Sequence, residues 1–248
     1  MLIGTRGAVE LQRGSKAWEP ATPGARLGES DAVRTPGDAE AELSVDSVRV
    51  KLHDRSEIRL SAAAAGILRG RVRGRIESSV EQGKGRVSLQ VEDGPLAESS
   101  GGHFFLTAEG RTVAIAATSG TVQVASGGKT VNVRQGQISH VEKTGKVVAP
   151  TAALRRVLLA VEWPGDKTNR SSIPVAGRVA AGSRVYVQGQ AVDVAPSGSF
   201  RTDIMLHEGR QKIAVVTVDP FGRRKSDATV ITRDQSVPEV KIASPWKR

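Results

Sequence analysis

The chain reads as all-β, in two successive units, on three observations. Its apolar residues are mainly aliphatic, glycine and proline punctuate it densely, and strand-length segments alternate with period two. Apolar residues make up 38% of the 248 residues and aromatics only 3%, so cores must be built from Val, Leu, Ile and Ala. Valine in particular favours half-buried pleated surfaces. The 27 glycines and 11 prolines supply many tight turns. A chain of this length suits one large or two ordinary domains.

Residues 8–12 form a first strand. The loop Trp18-Glu19-Pro20-Ala21-Thr22-Pro23-Gly24 follows, its prolines fixing φ and Gly24 turning the corner, and then a strand at 32–35. Trp18 is expected as the apolar plug beside this loop. Residues 39–45 and 48–52 alternate on either side of Asp46-Ser47, a hairpin with a two-residue connection. A turn at 53–55 leads to a strand at 57–60. The alanine run that follows, 61–66, is too short to stand as a helix and reads as a loop or single turn.

Residues 67–77 carry the most distinctive charge pattern. Arg69, Arg71, Arg73 and Arg75 fall on one parity, and Leu68, Gly70, Val72, Gly74 and Ile76 on the other. A strand with this period places all four guanidinium groups on one face. Such a ladder suits phosphate or carboxylate, and Arg223 and Arg224 are further candidates for anion or partner binding. The commoner meaning of such a row is the wet face of an ordinary strand, protected at its edge by charge.

The hairpin rhythm continues through strands at 87–91, 103–107, 112–116, 120–124, 130–133 and 136–138, with Phe105 expected in the core. Turns at 82–86, 92–95, 109–111 and 126–129 separate them, and this spacing suits a rolled or stacked antiparallel sheet. Residues 1–148 thus form the first unit and 149–165 a connecting strand or linker. In the latter, the parity of Val157, Leu159, Val161 and Trp163 favours a strand, with Trp163 turned toward a core. Residues 166–234 form the second unit. About seven short strands with a turn signal between each is the count for an Ig-like sandwich, with Phe200 in its core. Residues 235–248 are a C-terminal tail or the start of a further module.

The order Gly7-Ala8-Val9, the Trp18–Gly24 loop, Val33-Arg34-Thr35 and Ala41-Glu42-Leu43 resembles the FecR-type domain of bacterial envelope proteins. Phe105-Leu106-Thr107, then Gly120-Thr121-Val122-Gln123-Val124, then Val133-Arg134-Gln135-Gly136-Gln137, extends the likeness over residues 4–145. Gly101-Gly102-His103 departs from the family's Gly-Thr at that point, and the 46–47 turn lacks its glycine. Members that regulate sigma factors carry a cytoplasmic helical region and a membrane anchor before this domain. Neither is seen in this sequence, so the resemblance implies an extracytoplasmic β domain without implying sigma-factor regulation. The glycines of 173–222, with Tyr186, Phe200, Leu206 and Asp219, are similar to Ig-like modules of the glucodextranase domain B type. In that family the module is an accessory, non-catalytic spacer or binding unit.

The residues offer little chemistry. There are no cysteines, so disulfides and thiolate metal sites are excluded. His53, His103, His140 and His207 are scattered without ligand spacing. Ser126-Gly127-Gly128-Lys129-Thr130 lacks the leading glycine of a phosphate loop and joins strands instead of opening a helix. No Gly-x-Ser-x-Gly elbow occurs.

The net charge of +10 divides into +3 for residues 1–150 and +7 for 151–248, which attracts anionic partners in general. Scarce aromatics remove the stacking platforms of nucleic-acid binding. No stretch approaches the roughly 18 apolar residues of a membrane span. No enzyme activity and no cofactor are expected. The function expected is extracytoplasmic binding and scaffolding, in the periplasm or at the cell surface, with sheet edges and turn tips as contact sites. Partners would be other envelope proteins in an assembly, or an anionic envelope polymer. The alternatives are a FecR-type sensor in signal transduction, or accessory domains of a larger carbohydrate-active protein.

Overall fold

A computed structural model describes residues 1–109, 112–142 and 145–234. The expected tail or further module at 235–248, and the tip of the 109–111 turn, lie outside the described residues. All regular structure among the described residues is strand. The first unit holds β1 (Leu2–Arg6), β2 (Glu10–Gln12), β3 (Trp18–Pro20), β4 (Ala32–Thr35), β5 (Glu40–Val45), β6 (Val48–Leu52), β7 (Ser56–Ala64) and β8 (Ile67–Val80). It continues with β9 (Arg86–Val91), β10 (Leu96–Ser99), β11 (Gly102–Glu109), β12 (Thr112–Ser126), β13 (Lys129–Arg134), β14 (Gln137–Glu142) and β15 (Thr151–Ala152). The second unit holds β16 (Leu159–Glu162), β17 (Lys167–Thr168), β18 (Ser172–Val179), β19 (Arg184–Val187), β20 (Gln190–Val192), β21 (Ser199–Met205), β22 (Gly209–Val218) and β23 (Arg224–Arg233).

Two long strands organise the first unit, β8 with 14 residues and β12 with 15. The first half of β8 lies between β7 and β9, and its second half, from Gly74, between β6 and β11. The strand β12 likewise starts between β11 and β14 and ends between β10 and β13. Both strands therefore pass from one sheet to the other, and the sheets roll around a single, mainly aliphatic core that includes Leu43, Ile58, Leu68, Ile76, Phe104 and Ile115. Glycines make the passage. Gly102 and Gly120 face each other across the ladder with φ of +114° and +68°, and a Cβ on either would collide with the opposite backbone.

Two local expectations need correction. Residues 61–64 are strand: β7 passes a register shift between Leu60 and Ala62 and pairs with β8 as far as Ala64. Ladder hydrogen bonds to β8 override the alanine run, and the turn shrinks to Ala65-Gly66, both at positive φ, as a tight hairpin of this kind requires. The roll is also not purely antiparallel, because β9 runs parallel to β8. The end of β8 has curled back toward its own start, so residues 81–85 suffice to set Arg86 on the Gly66 carbonyl at 2.8 Å.

The second unit is a sandwich of a three-stranded sheet, β16-β18-β21, and a five-stranded one, β17-β23-β22-β19-β20. Its core includes Ile173, Val175, Val185, Phe200, Ile213 and Val215. The expected 149–165 linker is shorter than the sequence suggests. At one end β15 pairs with β14 of the first unit, and at the other β16 pairs with β18, which leaves 153–158 between them. The expected parity is seen: Leu159, Val161 and Trp163 turn toward the second core, while Leu154 and Leu158, on the other parity, are exposed at 53% and 43%.

Candidate functional site

Two surfaces carry the functional side chains: the seam between the units, and the outer face of β7, β8 and β9. The seam begins with small residues. On the first unit Ala114, Ala116 and Ile138 are buried away from the main core, and Phe221 of the second unit packs against them. Gly182 approaches so closely that a Cβ there would lie 2.5 Å from Ala114 Cβ.

Buried polar groups then cross the seam in both directions. From β8, Arg75 is only 2% exposed. Its Nη1 donates to the Asp219 carbonyl at 3.0 Å, and its guanidinium lies 4.8 Å from the centroid of the Phe105 ring. Burial pushes the Arg75 pKa down to about 10, with the neighbouring Arg184 charge adding to the effect. From β19, Arg184 Nη1 donates to both the carbonyl and Oδ1 of Asp54, at 3.1 and 2.9 Å. Tyr186 donates its hydroxyl to the other carboxylate oxygen of Asp54 at 2.8 Å. Asp219 anchors the 219–223 turn, accepting from the backbone N–H of Phe221 and Arg223 and from Arg223 Nε at 2.7 Å. Arg223 Nη2 reaches on to the Leu154 carbonyl at 2.8 Å, which ties the linker to the second unit.

Beside Phe105 the structure assembles a group that is dispersed in the sequence. The Glu77 carboxylate lies between His53 Nε2 at 3.1 Å and His103 Nε2 at 2.8 Å. Hydrogen bonds from His103 and then His53 hold Glu77 well below the usual carboxylate range. His103 also contacts Thr118 Oγ1 through Nδ1 and meets Phe105 edge-on, with centroids 5.1 Å apart. This arrangement fixes rings and charges at the rim of the seam. Among the described residues no group of three or more His, Asp and Glu side chains could hold a metal.

The expected arginine ladder is divided by its surroundings. Arg69, Arg71 and Arg73 are exposed, as parity requires. Arg75 keeps the same parity, but the second unit covers it, so it is no part of an open anion site. Arg73 donates from Nη2 to Glu57 Oε2 at 2.7 Å. Arg69 and Arg71 make no side-chain hydrogen bond or ion pair among the described residues. Arg223 is committed to Asp219 and the linker, while Arg224 is exposed on a crevice of about 430 Å³ at the seam.

The aromatic residues expected in cores also separate. Phe200 is 4% exposed in the second core. Trp163 is only partly buried there and donates Nε1 to Asp227 at 3.3 Å. Phe105 is buried at 7% but belongs to the seam, and its neighbour Phe104 fills the core instead. Trp18 plugs nothing: it sits half-buried on the short β3, with the Arg34 guanidinium 4.2 Å from its ring centroid.

Asp54, Glu77, His53 and Arg184 were missed as site residues. A usable signal was present in Phe105, which shares the outer-face parity of Arg75 across the β8–β11 ladder. An aromatic side chain on a nominally wet face marks a docking surface.

No curated protein matches the chain. Among solved structures, a protein assigned as an anti-sigma factor from Parabacteroides distasonis ATCC 8503 aligns at 13% identity and a TM-score of 0.44, over 49% of this chain and 59% of its own. The chain therefore spans less than two thirds of that structure's length. Fibronectin(III)-like modules of Clostridium thermocellum CbhA align at 11% identity and a TM-score of 0.27, over 71% of this chain and 93% of theirs. The family model for glucodextranase, domain B, matches residues 158–235, which are the second β-sandwich and its entry strand.

Proposed function

We propose that the protein is a non-enzymatic, extracytoplasmic binding and scaffold protein, in which a FecR-like β unit and an Ig-like unit are held as one body and present their sheet edges to partner proteins. The observation that supports this best is the polar lock at the seam. Arg75 reaches from the first unit to Asp219, and Arg184 and Tyr186 reach from the second to Asp54. Burying a guanidinium between domains is costly unless it finds an acceptor, and Arg184 finds the Asp54 carboxylate and Arg75 the Asp219 carbonyl only when the units meet in this orientation. A fixed orientation is what a scaffold needs to hold partners at set positions.

The edges suited to contact, among the described residues, are β13, which pairs with β12, and the part of β21 beyond Phe200, which pairs with β18. Both leave backbone groups free for strand addition. The test is site-specific photo-crosslinking in cells from β13, from β21 and from a control position on β22. Capture of the same envelope protein from one edge, and not from the control, supports the proposal. Capture from the control alone, or steady substrate turnover by the purified chain, refutes it. Recovery of a sigma-regulatory protein would move the assignment to FecR-type sensing.

A further inference from the structure

On the outer face of the sheet containing β7, β8 and β9, Glu57 pairs with Arg73, but Arg69 and Arg71 have no ion-pair partner among the described residues. Arg71 lies directly opposite Arg59 in the β7–β8 ladder. Like charges in register destabilise a sheet, so folding alone does not favour this pair. Arg59 is occupied, donating to Gln12 Oε1 and to the Gly14 and Ser30 carbonyls. Arg69 and Arg71 are exposed and uncommitted, one strand repeat apart, about 7 Å.

Alongside them the ladder sets out hydrogen-bonding groups, neutral except for Glu98, whose carboxylate accepts from Ser88 Oγ at 3.0 Å. Arg71 is in register with Gln90, and the Arg69 row runs through Ser88 and Glu98 to Gln123 and Asn132. Gln123 and Asn132 are exposed.

We propose that this face binds an extended acidic polysaccharide, with its carboxylates on Arg69 and Arg71 and its hydroxyls on the amides of Gln123 and Asn132. Guanidinium groups match carboxylates bidentately, and amides can both donate to and accept from sugar hydroxyls. Strands β7, β8, β9, β10 and β13 contain no aromatic residue. A nucleic acid therefore finds no stacking platform here. A neutral glycan finds none either, so charge must supply the affinity. The row spans several strands without a groove, which suits a chain lying across the sheet and repeating each contact.

This site touches the proposed β13 edge only at Asn132, and its test reads Arg69 and Arg71 on β8, away from both proposed edges, so the two readings fail separately. The test is affinity electrophoresis of the full chain through gels containing polygalacturonate, dextran or single-stranded DNA, with circular dichroism as the control for folding. Polygalacturonate is expected to retard the protein, and dextran is not. The double variant Arg69→Ser/Arg71→Ser is expected to bind roughly tenfold more weakly. The charge-matched control Arg210→Ser/Lys212→Ser, on exposed β22 positions, should change binding less than about twofold. The proposal is overturned by an absence of retardation, by equal loss in both double variants, or by DNA binding as tightly as polygalacturonate.

Discussion

Removing the Asp54 carboxylate tests the lock most directly. Asp54→Ala deletes the acceptor of an Arg184 Nη1 bond at 2.9 Å and of the Tyr186 hydroxyl bond at 2.8 Å, while the bond to the Asp54 carbonyl can persist. Bonds to a charged group contribute about 1.5–3 kcal/mol each, and breaking a buried ion pair from one side costs about 3–5 kcal/mol. The Arg184 side chain is 1% exposed but Asp54 is 23% exposed, so water can reach part of the vacated site. The expected loss is therefore about 3 kcal/mol, at the low end of the range for a buried pair. Urea unfolding of the full chain measures it, and calorimetry should show one transition dividing into two as the units uncouple. Arg184→Met should recover part of the loss in the Asp54→Ala background, because an apolar side chain needs no counter-charge. A loss below about 0.5 kcal/mol, or strict additivity of the two substitutions, would show that the pair does not hold the seam.

Four further outcomes follow from the same geometry. Gly182→Ala places a methyl 2.5 Å from Ala114 Cβ at φ +75°, so it should open the seam and speed proteolysis within 153–158, with both cores intact. Glu77 has a depressed folded pKa, so its stabilisation is present above the unfolded carboxylate value and is lost as pH falls below it. The urea midpoint should drop below about pH 4.3, and Glu77→Gln should flatten that drop. His140 is depressed by burial, so the unfolded chain takes up its proton first. Stability should fall as pH drops below about 6.5, and less so in His140→Gln. Phe200→Ala should cost about 3–5 kcal/mol by leaving a cavity in the second core, measured as a lower denaturant midpoint with little change in slope.

The strand plan was legible because alternation, turn residues and burial all act within a few residues of one another. The 45–48 hairpin follows from Asp46-Ser47 and the valines around it, and the second sandwich from its evenly spaced glycines. Features set by distant contacts were not legible. Ala62 to Ala64 became strand because β8 offered a ladder, and β9 turned parallel because β8 curls. The site suffered most from this. Asp54 and Arg184 are 130 residues apart, and nothing local to either announces the other. His53, Glu77 and His103 stand on three different strands or turns, and only the register of β6, β8 and β11 brings them together.

One strand shows why parity located the arginines and still misjudged them. Along β8 the outward positions run Arg69, Arg71, Arg73, Arg75, and the backbone treats the first three alike. Their environments are set from outside the strand. Glu57 neutralises Arg73, the second unit buries Arg75, and Arg69 and Arg71 are left to solvent. A free energy follows each environment: a small, screened contribution for the exposed pair, and several kcal/mol for a buried guanidinium that loses its acceptor. Substituting Arg75 should therefore disrupt the joint between units, whereas substituting Arg69 and Arg71 should leave stability nearly unchanged and alter only what the face can bind. The same residue type at the same period thus serves architecture at one end of the strand and is left open to solvent at the other, and the dividing point is Gly74, where β8 leaves one sheet for the next.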